Sequence, residues 1–384
     1  MGLHAAYPPP PALLAQLGGS PDADLARRQT VTPDRNRGRG AMSNQSGRFE
    51  RESRETFDDG WGSLETLPAF ETNEHEEKAK TVITRNTSPD IAFDRSINPY
   101  RGCEHGCSYC FARPTHTYLG LSAGLDFERE LFAKVNAADR LREELGKPRY
   151  GVKPIGIGTN TDPYQPIERK RKIMGEILEV LHETRHPVTI VTKSALIVRD
   201  LDILTEMAKQ NLVHVGISVT TLDHKLSRNM EPRASSPARR LEAIKLLSEA
   251  GIPVRIMAAP MIPAINDMEL ERILAAGADQ GAKAASMILL RLPNEVRDVF
   301  REWLLHHYPD KFRHVMNLIR DMRGGRDNDP RFGSRMRGDG PYAFSLQSRF
   351  DLAVKRYGLK RNLPSLRTDR FTAPKQDDPQ LALF

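Results

Sequence analysis

The chain has 384 residues, 39% apolar and 28% charged, which suits a soluble globular body with some disordered sequence. No stretch approaches the roughly 20 apolar residues of a membrane helix, and prolines interrupt the N-terminus before any export-type apolar core, so a cytoplasmic location is expected. The net charge is +7, yet residues 311–370 hold 15 Lys/Arg against 6 Asp, which suggests a polyanionic partner, or else a basic surface serving solubility alone.

Residues 1–45, rich in Pro, Gly, Ala, Asp and Arg without periodicity, are expected to be disordered. Residues 46–92, with Phe49, Phe57, Trp61 and Phe70 among charges, read as an extended segment wrapping the main body. From 93 to 292, short β-branched or apolar runs (95–98, 154–159, 188–193, 213–219, 253–258, 285–290) alternate with helical periodicity (167–184, 201–210, 237–250, 268–280). Ser236 before Pro237 predicts a helix start, and Gly251 the matching stop. Such alternation demands a parallel sheet with right-handed crossovers. Six units fit either an open doubly wound sheet or a partial barrel, and the pattern alone does not choose. Residues 293–361 read as a helical, basic C-terminal extension, with helices over 295–307, 312–322 and 345–357 around a Gly/Arg-rich loop. Residues 362–384 read as a flexible tail.

All three cysteines fall within eight residues, in Arg101-Gly-Cys103-Glu-His-Gly-Cys107-Ser-Tyr-Cys110, directly after the first strand. So tight a spacing argues against structural disulfides and for metal or cluster ligation. Three thiolates can hold three irons of a cubane and leave the fourth without a protein ligand, as a reactive centre requires. Gly102 and Gly106 permit the sharp turns of such a loop. The alternative is a zinc site with His105 or His116 as fourth ligand, although structural zinc commonly uses two paired knuckles and no second pair exists here.

The motif Cys103-x3-Cys107-x2-Cys110, with Tyr109 before the last cysteine, resembles the signature of the radical S-adenosylmethionine (SAM) superfamily. The resemblance implies a partial (βα)6 TIM-like barrel over 93–292. It also implies a [4Fe–4S] cluster on Cys103, Cys107 and Cys110, SAM bound at the open iron, and an electron donor such as flavodoxin or ferredoxin. Reductive cleavage of SAM would then give methionine and a 5′-deoxyadenosyl radical that removes a hydrogen atom from the substrate.

Within the superfamily, residues 97–260 resemble spore photoproduct lyase through the cysteine loop, Thr159-Asn-Thr-Asp162, Val191-Thr-Lys193, Glu231-Pro-Arg-Ala-Ser235, Arg240-Leu-Glu-Ala243 and Ala259-Pro260. The stretches NPYRGCEHGCSYCFARPTH and TNTDPYQPIE are more similar to a bacterial subfamily related to that lyase. Carried over, Tyr109 would touch the SAM adenine, Thr161 and Asp162 the amino group, Lys193 the carboxylate and Ser218 the ribose. Read without the resemblance, Tyr109 is core packing, Asp162 a turn residue before Pro163, Lys193 a solvated strand end and Ser218 a satisfied strand hydroxyl. The lyase's additional hydrogen-donor cysteine falls at Thr159, whose hydroxyl is a poor hydrogen-atom donor, so photoproduct reversal itself is not implied.

Two further signals concern partners. The terminal Gln380-Leu381-Ala382-Leu383-Phe384 resembles the peptide by which bacterial repair proteins bind the DNA sliding clamp; otherwise it is an apolar tail docking on its own domain. Residues 320–337 carry six arginines among glycines, with Phe332 interleaved and Tyr342 beyond, a composition for phosphates and exposed bases. The leading expectation is a radical SAM enzyme acting on DNA, in repair or base modification. Modification of RNA or a peptide, and a non-catalytic Fe–S binding or redox-sensing module, are the competing readings.

Overall fold

The structure is a computed structural model and describes residues 36–50 and 69–374. In chain order the strands are β1 (Asn73–Glu77), β2 (Ile83–Arg85), β3 (Arg95–Ile97), β4 (Tyr100–Arg101) and β5 (Glu130–Lys134). They continue as β6 (Ile155–Ile157), β7 (Val188–Thr192), β8 (Val213–Ser218), β9 (Val254–Met261) and β10 (Ala284–Leu289). One sheet runs β10-β9-β8-β7-β6-β3-β2, with β3 and β6 to β10 mutually parallel and β2 antiparallel on β3. The six apolar runs of the sequence are these six parallel strands. Their β-branched side chains suit a sheet covered on both faces, and Ile97, Ile157, Ile190, Val215, Ile217 and Ile256 are fully buried. Each is worth roughly 1.5–3 kcal/mol of transfer from water. The arrangement is the partial TIM-like barrel.

The helices confirm the periodicity with instructive differences. Leu201–Lys209, Pro237–Glu249, Val296–His307 and Phe312–Asp321 fall where expected. Ser236 occupies the N-cap in extended backbone, although its side chain makes no capping bond, and Gly251 follows the helix at φ +78°. The stretch 167–184 is broken at Lys172, which takes φ +55°. The buried Glu168 carboxylate accepts from the Met174 N–H and so starts a new helix, Ile173–Glu183. The last helix is longer than its sequence suggested, Gly340–Arg356. Its Gly-Pro start reads as a turn, but proline is well tolerated in a first turn, and the Asp339 side chain accepts from the Gly340 N–H.

Three expectations need correction. The disordered head does not extend to residue 45: Asn36, Arg39, Ala41, Met42 and Ser43 are buried against the barrel. The flexible tail does not begin at 362, since Arg367 N–H donates to Asn211 O, Thr372 N–H donates to Thr184 O, and the Phe371 ring packs on Tyr150 and His186. Residues 69–92 are not merely a wrap: they supply β1 and β2. A second sheet, β1-β5-β4, escaped the sequence reading because β1 is the wholly polar NEHEE. It holds together through Arg101, whose guanidinium makes two bonds to Glu77 at 2.7 and 2.9 Å, immediately before the cysteine loop.

The helical extension is part of the body. Phe300, Trp303 and Phe312 share one apolar cluster with Cys107, Tyr109 and Met230, and the Trp303 indole N–H donates to Asn229 O at 2.9 Å. No described helix is long and apolar enough to cross a membrane.

Candidate active site

The cysteine loop leaves β4 through Gly102 (φ +76°), where a side chain would meet Leu131 and the Glu130 carbonyl at 2.9 and 3.0 Å. Cys103 and Cys107 are buried and Cys110 is partly exposed. Backbone bonds Gly106 N–H to Cys103 O, Cys110 N–H to Cys107 O and Ser108 N–H to Met230 O tie the loop to itself and to the segment after β8. Burial, with Asp162 and the other two sulfurs nearby, pushes the Cys103 thiol well up; burial and Glu231 raise Cys107 to about 12, against the pull of Lys193.

A buried ion pair underlies the loop. Arg113 and Glu128 are both fully enclosed, 2.5 Å apart. The guanidinium spends its remaining donors on the carbonyls of Cys107, Ala123 and Gly124. Glu128 in turn accepts from the backbone N–H groups of Gly40 (2.8 Å) and Ala41 (2.7 Å). Residues 36–47 thus form a strap across the cysteine loop. Ser43 donates to Glu302, and Asn44 and Asp126 exchange two bonds. A side chain on Gly40 would sit 1.7 Å from the Gly106 carbonyl oxygen, so only glycine passes there.

The other candidate residues gather at the C-terminal ends of the parallel strands, where ligands bind in such sheets. Tyr109 is buried, its hydroxyl bonded to Glu231 and its ring 5.7 Å from the Lys193 ammonium. That ammonium donates to no described residue. Burial opposes its charge, but Cys107 and Glu231 outweigh this and raise its pKa. Ser218 is buried and its carbonyl accepts from Arg240; its hydroxyl has no described partner. Thr161 donates weakly to Tyr100 O at 3.4 Å.

Asp162 is tied closely into the fold. Its oxygens accept from Tyr164 N–H, the Thr192 hydroxyl and Lys193 N–H, and face His105 Nδ1 at 3.4 Å. These bonds fix the backbone of Lys193 at the end of β7. Thr159 shares a hydrogen bond with Asn98.

The Glu231-to-Arg240 motif carries no assigned role in the sequence. In the structure Glu231 is fully buried and accepts from Tyr109, Thr220 (3.0 Å) and Arg240, while Arg240 also donates to Ser235 O and Ser218 O. Burial raises the Glu231 carboxyl, yet Arg240 and Lys193 hold it below the usual range. Arg233 closes the far side by pairing with Glu104, and its N–H donates to His105 O. One motif therefore backs Tyr109, Ser218 and the cysteine loop together.

These residues fit the group that the signature implies. Three thiols crowd one loop, and burial together with the neighbouring sulfurs holds back ionisation of Cys103 and Cys107, a situation that iron relieves. Among the described residues no group of three or more His, Cys, Asp or Glu side chains is gathered tightly around one point. His116 is committed to Glu130 O and stacks edge-on against Phe127. The buried Ser108 hydroxyl in the same loop lacks a partner, as a donor reserved for cluster or thiolate sulfur would.

The arginine-rich loop is more structural than its composition suggests. Arg320 pairs with Asp327, Arg331 with Asp329 and Arg335 with Asp90, and the buried Arg323 donates to the carbonyls of Leu290, Ser334 and Arg335. Arg326 and Arg337 carry no such bonds. The clamp-like residues 380–384 lie outside the described residues, as does most of the expected disordered head.

Residues 97–276 match the profile described as the Radical SAM superfamily. An uncharacterized protein of Mycobacterium tuberculosis is 36% identical over 251 residues, covering 64% of this chain and 73% of that one. An uncharacterized protein of Methanocaldococcus jannaschii is 29% identical over 192 residues, covering 50% of this chain and 69% of that one. Among solved structures, spore photoproduct lyase complexed with dinucleoside spore photoproduct is similar at a TM-score of 0.55 with 16% identity, covering 75% of this chain and 81% of that one. A variant of that lyase with bound AdoMet and the same dinucleoside gives 0.54 and 15%, covering 76% and 82%.

Proposed function

The chain belongs to the radical SAM superfamily, and from that footing we propose that it is a radical SAM enzyme whose substrate is DNA, in repair or base modification. The observation that carries the assignment of the site is the unpaired Lys193 ammonium, held over Tyr109 beside the cysteine loop. When bound, the cluster supplies the electron that cleaves SAM and starts hydrogen-atom abstraction.

The chain's own residues do the holding. Cys103, Cys107 and Cys110 would take three irons and leave one open. Lys193 would pair with the SAM carboxylate, Tyr109 would lie against the adenine, and the Ser218 hydroxyl would meet the ribose. Thr161 and Asp162 remain candidates for the amino group, and Asp162 also fixes the Lys193 backbone. The Glu231–Arg240 pair locks Tyr109 and the Ser218 carbonyl, so the pocket is formed before ligand arrives and loses little entropy on binding. Burial around the thiols excludes water from the reactive end.

DNA as substrate is supported by the basic extension, by the barrel shared with a photoproduct lyase, and by the clamp-like tail, which would bring the enzyme to the sliding clamp. Anaerobic reconstitution, iron and sulfide analysis, and SAM cleavage with and without damaged DNA test the reading. Cleavage stimulated by damaged DNA is expected, with Lys193→Met weakening SAM binding at least 10-fold, as loss of a buried charge pair does. Stimulation by RNA or a peptide alone would overturn the substrate, and zinc in place of iron would overturn the chemistry.

A further inference from the structure

The seven-stranded sheet does not close on itself: β10 ends it on one side and β2 on the other. Near the β10 end two side chains meet. Arg291 stands two residues beyond β10, and its guanidinium lies 5.6 Å from the ring of Phe111, which directly follows Cys110.

Neither side chain is placed as a purely structural contact would place it. Phe111 is 51% exposed, although the loop leading to it is largely buried. Arg291 is half-buried, its Nε has no acceptor, and it forms no ion pair among the described residues. The nearby carboxylate, Asp90, is already occupied by Arg335 and the Gly333 N–H. Withdrawing a guanidinium from water without an acceptor is costly, so the position suits a guanidinium that meets an anion from outside. Burial and the neighbouring Arg335 lower its pKa, which describes the same unmet demand for negative charge.

A second exposed ring lies alongside, next to a guanidinium that is itself spent on Asp90 and Ser88. Arg335 sits 4.5 Å from the ring of Phe332, itself 57% exposed, on a loop whose Met336 carbonyl accepts from Leu289 at the end of β10. Two half-bare aromatic rings, each flanked by a guanidinium, therefore border the opening closest to the last cysteine. Rings stack on bases and guanidinium groups bind phosphates, and the combination is how exposed nucleotides are held.

We propose that Phe111 and Arg291 hold the reacting nucleotide, its base stacked on Phe111 and its phosphate bonded to Arg291, with the exposed Phe332 ring stacking its neighbour. The inference rests on the DNA reading above and deepens it. A base must leave the duplex stack to meet Phe111, so the preferred substrate is single-stranded or locally opened DNA rather than intact duplex.

The test uses the reconstituted full-length protein and a fluorescein-labelled oligonucleotide of mixed sequence, as single strand and as duplex, with anisotropy read over a salt series. Wild type is expected to favour the single strand. Phe111→Ala weakens that binding about 10-fold, while Phe111→Tyr, which keeps the ring, stays within about 2-fold. Arg291→Gln reduces the slope of log affinity against log salt by about 0.7, one phosphate's worth on a single strand. Iron and sulfide content equal to wild type shows that each variant has folded. If wild type binds DNA and the Ala and Gln variants match it in affinity and slope, the pair is only a structural contact and this inference falls alone. If wild type binds no oligonucleotide, the nucleic-acid reading falls and takes this inference with it. Binding of RNA in place of DNA, with the same variant losses, overturns the DNA assignment while the pair stands.

Discussion

Arg113 donates every one of its N–H groups to the protein interior, and what it holds is the floor of the cysteine loop. Its charge is tolerable there only because Glu128 is enclosed with it. Glu128→Ala is therefore expected to cost about 3–5 kcal/mol, the penalty of stranding a buried charge, and to lower iron retention. The double variant Arg113→Met with Glu128→Leu should recover part of that loss, since neither charge then remains. Anaerobic denaturant titration of wild type and the two variants is the measurement, and equal loss in the single and double variants would show that the pair's charge is not what matters. Neither residue was singled out in the sequence, because Arg113 follows the motif as one more polar residue and Glu128 is distant from it in chain order. The cysteines were legible for the opposite reason: their ligation depends on spacing within eight residues, which any fold preserves. Glu231 and Arg240 lie between these cases. Their motif was visible, but its work behind Tyr109 and Ser218 depends on how β8 and the following helix turn back on the cysteine loop.

At the scale of elements, the strap 36–47 is the feature that composition concealed. Its residues are mostly polar, and it is held by backbone N–H groups donated to Glu128 together with the burial of Asn36, Arg39, Ala41, Met42 and Ser43. Gly40 is the position where this is least negotiable. Gly40→Val would press a side chain onto the Gly106 carbonyl and is expected to destabilise the protein by about 1–3 kcal/mol. Anaerobic thermal unfolding and iron content read the effect, and an unchanged melting temperature would mean that the strap does not bear on the loop. The six parallel strands were legible because each is an apolar run covered on both faces. The sheet β1-β5-β4 was not, because its edge strand β1 is wholly polar and β4 is only two residues long, so neither carries an apolar period. The break at Lys172 was equally hidden, since a continuous helical pattern does not reveal that a buried carboxylate will restart the helix.

Across the whole molecule, the chain fastens its two described ends onto the barrel. The C-terminal fastening runs through His186, buried between Pro187 O (3.0 Å), the Tyr150 hydroxyl (2.9 Å) and the ring of Phe371. Burial pushes its pKa down from 6.5 to about 4, with Arg95 adding to the fall. The folded protein thus binds this proton less readily than the unfolded chain. The contribution is fully present above pH 6.5 and is lost progressively as the pH falls from 6.5 to about 4, by about 3 kcal/mol in all. His186→Gln should flatten that part of the acid-side decline in unfolding free energy; parallel curves for the two proteins would refute it. The domain limits drawn from composition erred at both ends for one reason. Low apolar content was taken for disorder, whereas both segments are retained by a few directed bonds to an already folded surface.

The strap has a practical corollary for anyone shortening the gene. Its low-complexity head looks expendable up to the first apolar run. A start codon placed beyond Ser43 would nonetheless delete the amides of Gly40 and Ala41 and expose the underside of the cysteine loop. Trimming is safest if it stops short of Asn36.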